Sequence, residues 1–210
     1  MLTMKSFFED VKKMPYYKNY AASSGKVHNI AKHEDAVESL LQDYKIKESR
    51  INKVSKGTRD QWLSVKSAPE MENNSYISQP CGTHNSPDFI VKADNKLYFL
   101  ECKSVKGGSP MYNSGVPKSG YVYILSSETH NKTTFYKGED VLSSEEERLI
   151  QEHIKEARER DAKLNALLNN SHGIKYYTRP MIQHQGSRHT QDYFVNKNRF
   201  QLEQNVLEAV

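Results

Sequence analysis

One stretch decides the fold of this chain, residues 79–104, which read Gln-Pro-Cys-Gly-Thr-His-Asn-Ser-Pro-Asp-Phe-Ile-Val-Lys-Ala-Asp-Asn-Lys-Leu-Tyr-Phe-Leu-Glu-Cys-Lys-Ser. Its apolar residues predict two strands, 88–92 and 96–104, because residues 93–95 have the composition of a tight turn. Side chains alternate along the second strand, which places on one face Leu97, Phe99, Glu101 and Lys103. Asp88 reaches the same place as Glu101 and Lys103 if the two strands pair as a hairpin.

Two carboxylates and a lysine that meet at a strand end suit metal-assisted hydrolysis of a phosphodiester. Mg²⁺ is held in proteins by one or two carboxylates, with waters and substrate phosphate as its other ligands. A lysine beside the ion can orient the attacking water and stabilise charge. Burying Glu101 without a partner would cost on the order of several kcal/mol, so its position at the end of an apolar strand favours a functional role. The alternative is two structural strands with solvated charges.

The motif made by Pro87-Asp88 and Glu101-Cys102-Lys103 resembles the signature of the PD-(D/E)XK nuclease superfamily. The resemblance implies an α/β fold with a restriction-endonuclease-like core, a central mixed β-sheet flanked by α-helices. It implies Asp88 and Glu101 as ligands of Mg²⁺, with Mn²⁺ as a substitute, and the backbone carbonyl of Cys102 as a further ligand. It also implies that Lys103 acts on the attacking water.

Two flanking segments, residues 79–86 and 112–115, are similar to those of small type II restriction endonucleases. This resemblance implies cleavage of double-stranded DNA at a short specific sequence, leaving 5′-phosphates, in the cytoplasm of a bacterial or archaeal cell. It also implies a homodimer, whose symmetry matches a palindromic site. Two alternatives stay open: a structure-selective repair or junction nuclease of the same superfamily, and a non-catalytic DNA-binding or protein-interaction module.

Composition narrows the classes of protein without choosing among them. A formal net charge of +4 permits a polyanionic partner without demanding one. The two cysteines have no zinc-like spacing with histidines, and the N-terminus has no signal-like segment, so we expect reduced thiols, no zinc and a cytosolic setting. The longest apolar runs are too short to span a membrane, so we expect none.

The chain is predicted to form a single nuclease domain, residues 1–210, in which residues 1–30 are an arm or a short helix. Apolar residues at helical spacing predict a helix over residues 33–48. By the resemblance, a helix at this place can add an acid to the metal site; Glu34 is the candidate and Glu38 its substitute. The other interpretation of Glu34 is a first-turn carboxylate stabilised by the helix dipole.

Further along the chain, the continuous apolar run 121–125 predicts a strand buried on both faces. Residues 133–136 predict an edge strand, and residues 173–179 another strand. A helix is predicted over residues 144–168, with an apolar stripe and a solvated charged face, because acids follow an N-cap serine. A final short helix is predicted near Arg199 to Leu207.

Residues 105–120 and 180–192 are candidate DNA-contacting loops, because both are rich in side chains that bind phosphates and base edges. The predicted DNA contacts are Gln79, Ser86, Lys106, Asn113, Ser114, Lys118, Arg179, Gln183, His184 and Arg188. Residues 56–60 are predicted to be a loop. The basic residues around Trp62, which include Lys56 and Arg59, could touch phosphates, but a solvated basic face is favoured there.

Overall fold

A mixed six-stranded sheet lies at the centre of the computed structural model, which describes residues 3–17, 32–112, 116–168, 172–184 and 191–210. In spatial order its strands are β1 (Lys47–Glu48), β2 (Ser75–Ser78), β3 (Phe89–Ala93), β4 (Lys96–Val105), β6 (Tyr121–Ser127) and β7 (Lys132–Lys137). Strand β1 is parallel to β2 and β4 is parallel to β6, whereas the other neighbours are antiparallel. Strands β5 (Met111–Tyr112) and β8 (Ile182–Gln183) form a separate antiparallel pair.

Helices lie on both faces of the sheet, so the predicted α/β class with a central mixed sheet is confirmed. The described α-helices are α1 (Met4–Val11), α2 (Lys32–Asp43), α3 (Lys56–Val65), α4 (Ser144–Leu167) and α5 (Arg199–Leu207). A 3₁₀ turn, Gly138–Asp140, follows β7. No described helix combines the length and the apolarity that crossing a bilayer requires.

The hairpin formed by β3 and β4 confirms the central prediction. Its register pairs Phe89 with Leu100 and Ala93 with Lys96. Asp94 and Asn95 form the two-residue turn with φ of 50° and 59°, the left-handed values that such a turn needs at both central positions. The first strand begins at Phe89, one residue later than predicted, which leaves Asp88 just outside it.

The two faces of β4 enter two different hydrophobic cores, as its alternation predicts. Tyr98, Leu100 and Cys102 pack in the core that includes buried residues of α1, α2 and α5. Phe99 packs in the other core, with Trp62 of α3 and the tyrosines of β6. Glu101 and Lys103 therefore project on the face that carries α3.

The N-terminal segment is part of the core rather than an arm. Thr3 caps α1 by accepting a hydrogen bond from the Ser6 N–H, and Phe7 and Phe8 of this helix are fully buried. Of the two interpretations that the sequence leaves open, the structure therefore shows the short helix, at Met4–Val11. Residues 18–30 of the segment predicted as an arm or a short helix lie outside the described residues.

Residues 56–60 form the first turns of α3, so their predicted assignment to a loop is wrong. Ser55 caps this helix by accepting a hydrogen bond of 3.0 Å from the Thr58 N–H. The sequence signal was present, because serine is among the preferred N-cap residues. Gly57 in the first turn of α3 weakened this signal, because glycine is unfavourable in helices.

Helix α4 has the predicted bounds and begins with a capping box made by Ser143 and Glu146. Of its apolar stripe, Ile154 and Ala157 are buried, whereas Leu167 is 81% exposed. The segment 173–179 is not a strand. This segment packs beside α4 instead, where Asn165 of the helix makes two hydrogen bonds of 2.8 Å with the Tyr176 backbone.

Candidate active site

A cleft of about 1210 Å³ lies along the C-terminal half of β4, and the predicted catalytic residues lie at its floor. Its lining includes Asp88, Glu101, Cys102 and Lys103, which the hairpin brings together, and also Glu34 from the first turn of α2. Glu101 is buried, and Asp88 and Glu34 are half-buried. The floor therefore holds three carboxylates and one lysine.

Asp88 is fixed by the point at which β3 begins. Its backbone N–H donates to the Leu100 carbonyl at 3.0 Å, and its carbonyl accepts the Gln79 N–H at 2.7 Å. Its carboxylate Oδ2 accepts the Cys102 N–H at 2.7 Å, where no β3 residue pairs with Cys102. Because the N–H and C=O of one strand residue point to the same neighbour, the Cys102 carbonyl faces the same edge as Asp88.

Glu101 and Lys103 form an ion pair of 2.6 Å between Oε1 and Nζ, with 11% and 26% of their side chains exposed. Burial alone would lower the pKa of Lys103, but the Glu101 carboxylate outweighs it and raises that pKa. The second oxygen of Glu101, Oε2, is buried without a hydrogen-bond partner among the described residues. Such an atom costs free energy unless a donor or a cation reaches it.

Gln79 joins the first turn of α2 to the strands. Its amide Nε2 donates to Glu34 Oε2 at 2.9 Å and to Asp88 Oδ1 at 3.0 Å. Glu34 therefore joins the other acids, as the sequence predicted, while its substitute Glu38 lies beside Tyr76. Gln79 itself, predicted to contact DNA, lies between two carboxylates at the floor of the cleft.

Neighbouring carboxylates raise the pKa values of Asp88 and Glu34. Burial, followed by the charges of Glu101 and Glu34, raises the pKa of Asp88 to about 8. Burial and the charge of Glu101 raise the pKa of Glu34 as well. Like charges held together in a buried site disfavour ionisation, and a bound cation reverses that preference. The floor is thus short of positive charge.

The donor set fits Mg²⁺. Among the described residues, no three His, Cys, Asp or Glu side chains already surround one point as ligands. Mg²⁺ does not require this, because one or two carboxylates suffice when waters and phosphate complete its shell. Asp88 and Glu101 offer those carboxylates, Cys102 faces the same edge with its carbonyl, and the unpartnered Glu101 Oε2 is an oxygen that a cation would satisfy.

Basic side chains line the cleft above this floor. They are Lys56 and Arg59 of α3, Lys118 of the connection between β4 and β6, Arg158 of α4, and Arg179. Arg59 is buried, and its Nη1 donates to the Ser86 carbonyl at 2.7 Å. The favoured interpretation of this region as a solvated face is therefore wrong for Arg59. Its spacing of three residues from Trp62 in a helix is the signal that could have shown its burial.

Apart from Gln79, the predicted DNA contacts separate into three groups. Ser86, Lys118 and Arg179 line the cleft that holds the carboxylates. Lys106, Gln183 and His184 instead line a second hollow of about 750 Å³ beside β5 and β8. The remaining predicted contacts lie outside the described residues: Asn113, Ser114 and Arg188.

His184 serves the packing of the small β5–β8 pair. Its Nε2 lies 3.1 Å from the Tyr193 hydroxyl, and its ring meets the Tyr112 ring edge-on. Burial lowers the pKa of His184, which favours the neutral ring. A neutral, packed imidazole is a poor ligand for phosphate, so these contacts argue against a phosphate role for His184.

No protein-family model matches this sequence, and neither does any curated protein or solved structure. The chain is therefore assigned to no family by comparison. Its function is inferred from the cleft, whose acidic floor and basic walls are described above.

Proposed function

We propose that this protein is a Mg²⁺-dependent type II restriction endonuclease with a restriction-endonuclease-like core. It hydrolyses phosphodiester bonds of double-stranded DNA at a short specific sequence and leaves 5′-phosphates. The observation that carries the proposal is the buried Glu101 carboxylate, paired on one oxygen with Lys103 and unpartnered on the other, beside Asp88 at the floor of a cleft with basic walls.

Asp88 and Glu101 would hold the Mg²⁺, with the Cys102 carbonyl as a further ligand. Glu34 is linked to Asp88 by the Gln79 amide, which donates to both carboxylates. When bound, the ion neutralises developing charge on the phosphate and lowers the pKa of water. The chain's part is to hold these oxygens in place before the ion arrives. The Cys102 N–H and the Gln79 amide do so by fixing both oxygens of Asp88.

Lys103 acts as a hydrogen-bond donor in this proposal. Its raised pKa keeps a proton on Nζ at neutral pH, so it cannot accept one from the attacking water. The ion pair with Glu101 fixes the ammonium beside the metal ligands. From there it can orient the water and stabilise the phosphate oxygens that gain charge during the reaction.

We also propose a homodimer, because a palindromic site presents two scissile bonds related by a two-fold axis. Exposed apolar side chains favour a subunit contact on α4 and the segment that follows it. They include Leu164, Leu167, Leu168, Ile174 and Met181. Large apolar side chains exposed on neighbouring parts of the chain are typical of protein interaction sites.

Digestion of long unmethylated DNA with Mg²⁺, with Mn²⁺ or with EDTA tests the proposal. Discrete fragments that require the metal are expected, and sequencing of their ends would give the site and the 5′-phosphate. A smear, or cleavage confined to branched DNA, would replace the proposal with a structure-selective nuclease. Intact DNA on several substrates that differ in sequence would favour a non-catalytic binding module.

A further inference from the structure

Lys118 is held in place more firmly than a surface lysine needs to be. Its N–H donates to the Tyr123 hydroxyl at 2.9 Å, and its carbonyl accepts the Tyr121 N–H at 3.2 Å. Gly138 packs against the same carbonyl, where a β-carbon would come within 1.9 Å of the Lys118 oxygen. The side chain therefore leaves a fixed backbone and enters the cleft.

The ammonium group of Lys118 lies over an aromatic ring instead of in an ion pair with a described carboxylate. It is half-buried, 5.2 Å above the centre of the Tyr121 ring. In the part of the chain that the structure describes, no carboxylate lies within 4.0 Å of it. Burial, followed by the charge of Arg59, lowers the pKa of Lys118, while the charges of Asp60 and then Glu101 act in the opposite direction.

Arg59 is equally well fixed. Its Nε and Nη2 bind Asp60 Oδ1 at 2.8 and 2.7 Å, and its Nη1 binds the Ser86 carbonyl. The Asp60 side chain is 60% exposed, so water screens much of its charge. Two partly desolvated cations thus line the same cleft, and of the two only Arg59 has a carboxylate partner. Burying the Lys118 charge without such a partner costs free energy in the empty protein, and an anion bound beside it would offset that cost.

We propose that Arg59 and Lys118 form a binding site for one backbone phosphate of the DNA, next to the carboxylate floor. This inference rests on the proposed function and deepens it. Guanidinium and ammonium groups are the usual protein ligands of phosphate. Because Lys118 lies near Glu101, a phosphate held there would fix the register of the bound strand relative to Glu101 and Lys103.

Salt-dependent binding tests this site without any need for cleavage. We would measure the affinity for a fluorescein-labelled duplex by anisotropy, in EDTA, from low to high NaCl. Lys118→Met keeps the aliphatic stem and should reduce the slope of log K against log [NaCl] by about one, the value for one lost phosphate contact. Lys118→Arg should restore the slope. The matched control is Lys47→Met on β1, an exposed lysine outside the cleft, which should keep it.

A slope unchanged by Lys118→Met would overturn the inference. The unmodified protein offers a second test, in case the variant folds poorly. Acetylation followed by mass spectrometry should label Lys118 in the free protein and less in the DNA complex, while Lys47 is labelled equally in both. Equal labelling of Lys118 would also overturn it. Protection of Lys118 by millimolar inorganic phosphate, without protection by DNA, would show a site for free phosphate and reject the DNA backbone as its ligand.

These results separate the inference from the proposed function. If Lys118→Met binds and cuts DNA like the wild type while Asp88→Asn does not cut, only the phosphate site is wrong. If Lys118 is protected by DNA but Asp88→Asn still cuts, the proposed metal site is wrong and the phosphate site stands.

Discussion

Two buried clusters of charge in this molecule use the same chemical group in opposite ways. Glu203 of α5 is 3% exposed and is fully paired. Thr134 Oγ1 donates to it at 2.7 Å, Arg199 Nε at 2.9 Å and Lys12 Nζ at 3.0 Å. One carboxylate there meets two cations and a hydroxyl. At the floor of the cleft, three carboxylates share one lysine.

The pKa values follow this difference. Burial alone would raise the pKa of Glu203, but Thr134, Lys12 and Arg199 outweigh it and lower that pKa. Burial and like charges raise the pKa of Asp88 to about 8. The first cluster joins α1, β7 and α5, whereas the second is short of positive charge, as the proposed Mg²⁺ site requires.

The largest expected effect is on cleavage by Asp88→Asn. The substitution removes a metal ligand but keeps the shape of the side chain, so cleavage should fall at least about a thousandfold, because a bound ion supplies several kcal/mol of transition-state stabilisation. Initial rates on plasmid DNA with Mg²⁺ measure the loss, and anisotropy should show that DNA binding is retained. Wild-type rates in the variant would refute the assignment of Asp88.

The next largest effect is on the stability of the protein, and it is expected in the Glu203 cluster. Glu203→Ala leaves the cations Arg199 and Lys12 and the Thr134 hydroxyl without their shared acceptor, so the free energy of unfolding should fall by about 3–5 kcal/mol. Urea denaturation measures this loss. The folded variant should still cut DNA, and a loss of cleavage without a loss of stability would contradict the structural role of Glu203.

A smaller effect is the pH dependence of stability, which should have opposite signs in the two clusters. In the folded protein the pKa of Asp88 is raised from its ordinary value of 3.8 to about 8. The contribution of Asp88 to stability is therefore complete below about pH 4 and is lost as the pH rises through about 8. Glu203 contributes above its ordinary value of 4.5 and loses this contribution as the pH falls through its lowered pKa.

Thermal melts in EDTA between pH 3 and 9 would show both signs. Asp88→Asn should gain stability over the wild type as the pH rises from about 4 to 8, because the cost of ionising Asp88 is removed. Glu203→Gln should be less stable than the wild type above about pH 4.5, and this difference should shrink as the pH falls through the lowered pKa of Glu203. Parallel melting curves for wild type and Asp88→Asn would mean that Asp88 is not strained by its neighbours.

The smallest effect is expected at an exposed charge cluster. Arg148 binds Glu145 and Glu152 at 2.6 Å each on the outer face of α4, and all three side chains are more than half exposed. Water and salt screen such pairs. Arg148→Ala should leave the urea midpoint unchanged within error. A clear loss of stability in this variant would contradict the expectation that the exposed pairs contribute much less to stability than the buried Glu203 cluster.

Local pattern was enough to predict the hairpin and the site residues on it. Asp88, Glu101 and Lys103 meet because of strand alternation and a two-residue turn, and both can be read from 26 consecutive residues. Helical periodicity placed Glu34 near the start of α2, but its place at the site was implied by the family resemblance, because its partner Gln79 is 45 residues away. For Asp88, Glu101 and Lys103, the partners are close in the sequence.

The residues that escaped prediction depend on distant partners. The buried Arg59 donates a hydrogen bond to the Ser86 carbonyl, 27 residues away. The buried Glu203 accepts one from Thr134, 69 residues away. No periodic pattern records such contacts. Residues 173–179 have a strand-like composition, but a strand also needs a partner strand, and Asn165 of α4 binds the backbone there instead.

The hairpin that carries the site also bears on how the chain folds. Asp88, Glu101 and Lys103 lie within 16 residues of one another, so their contacts close only a short loop of chain. Isolated β-hairpins form within about 1–10 μs, whereas the parallel pairing of β4 with β6 must wait for a longer connection. We therefore expect the Cys102 amide, which donates to Asp88, to gain protection from hydrogen exchange before the amide of Ile124 does.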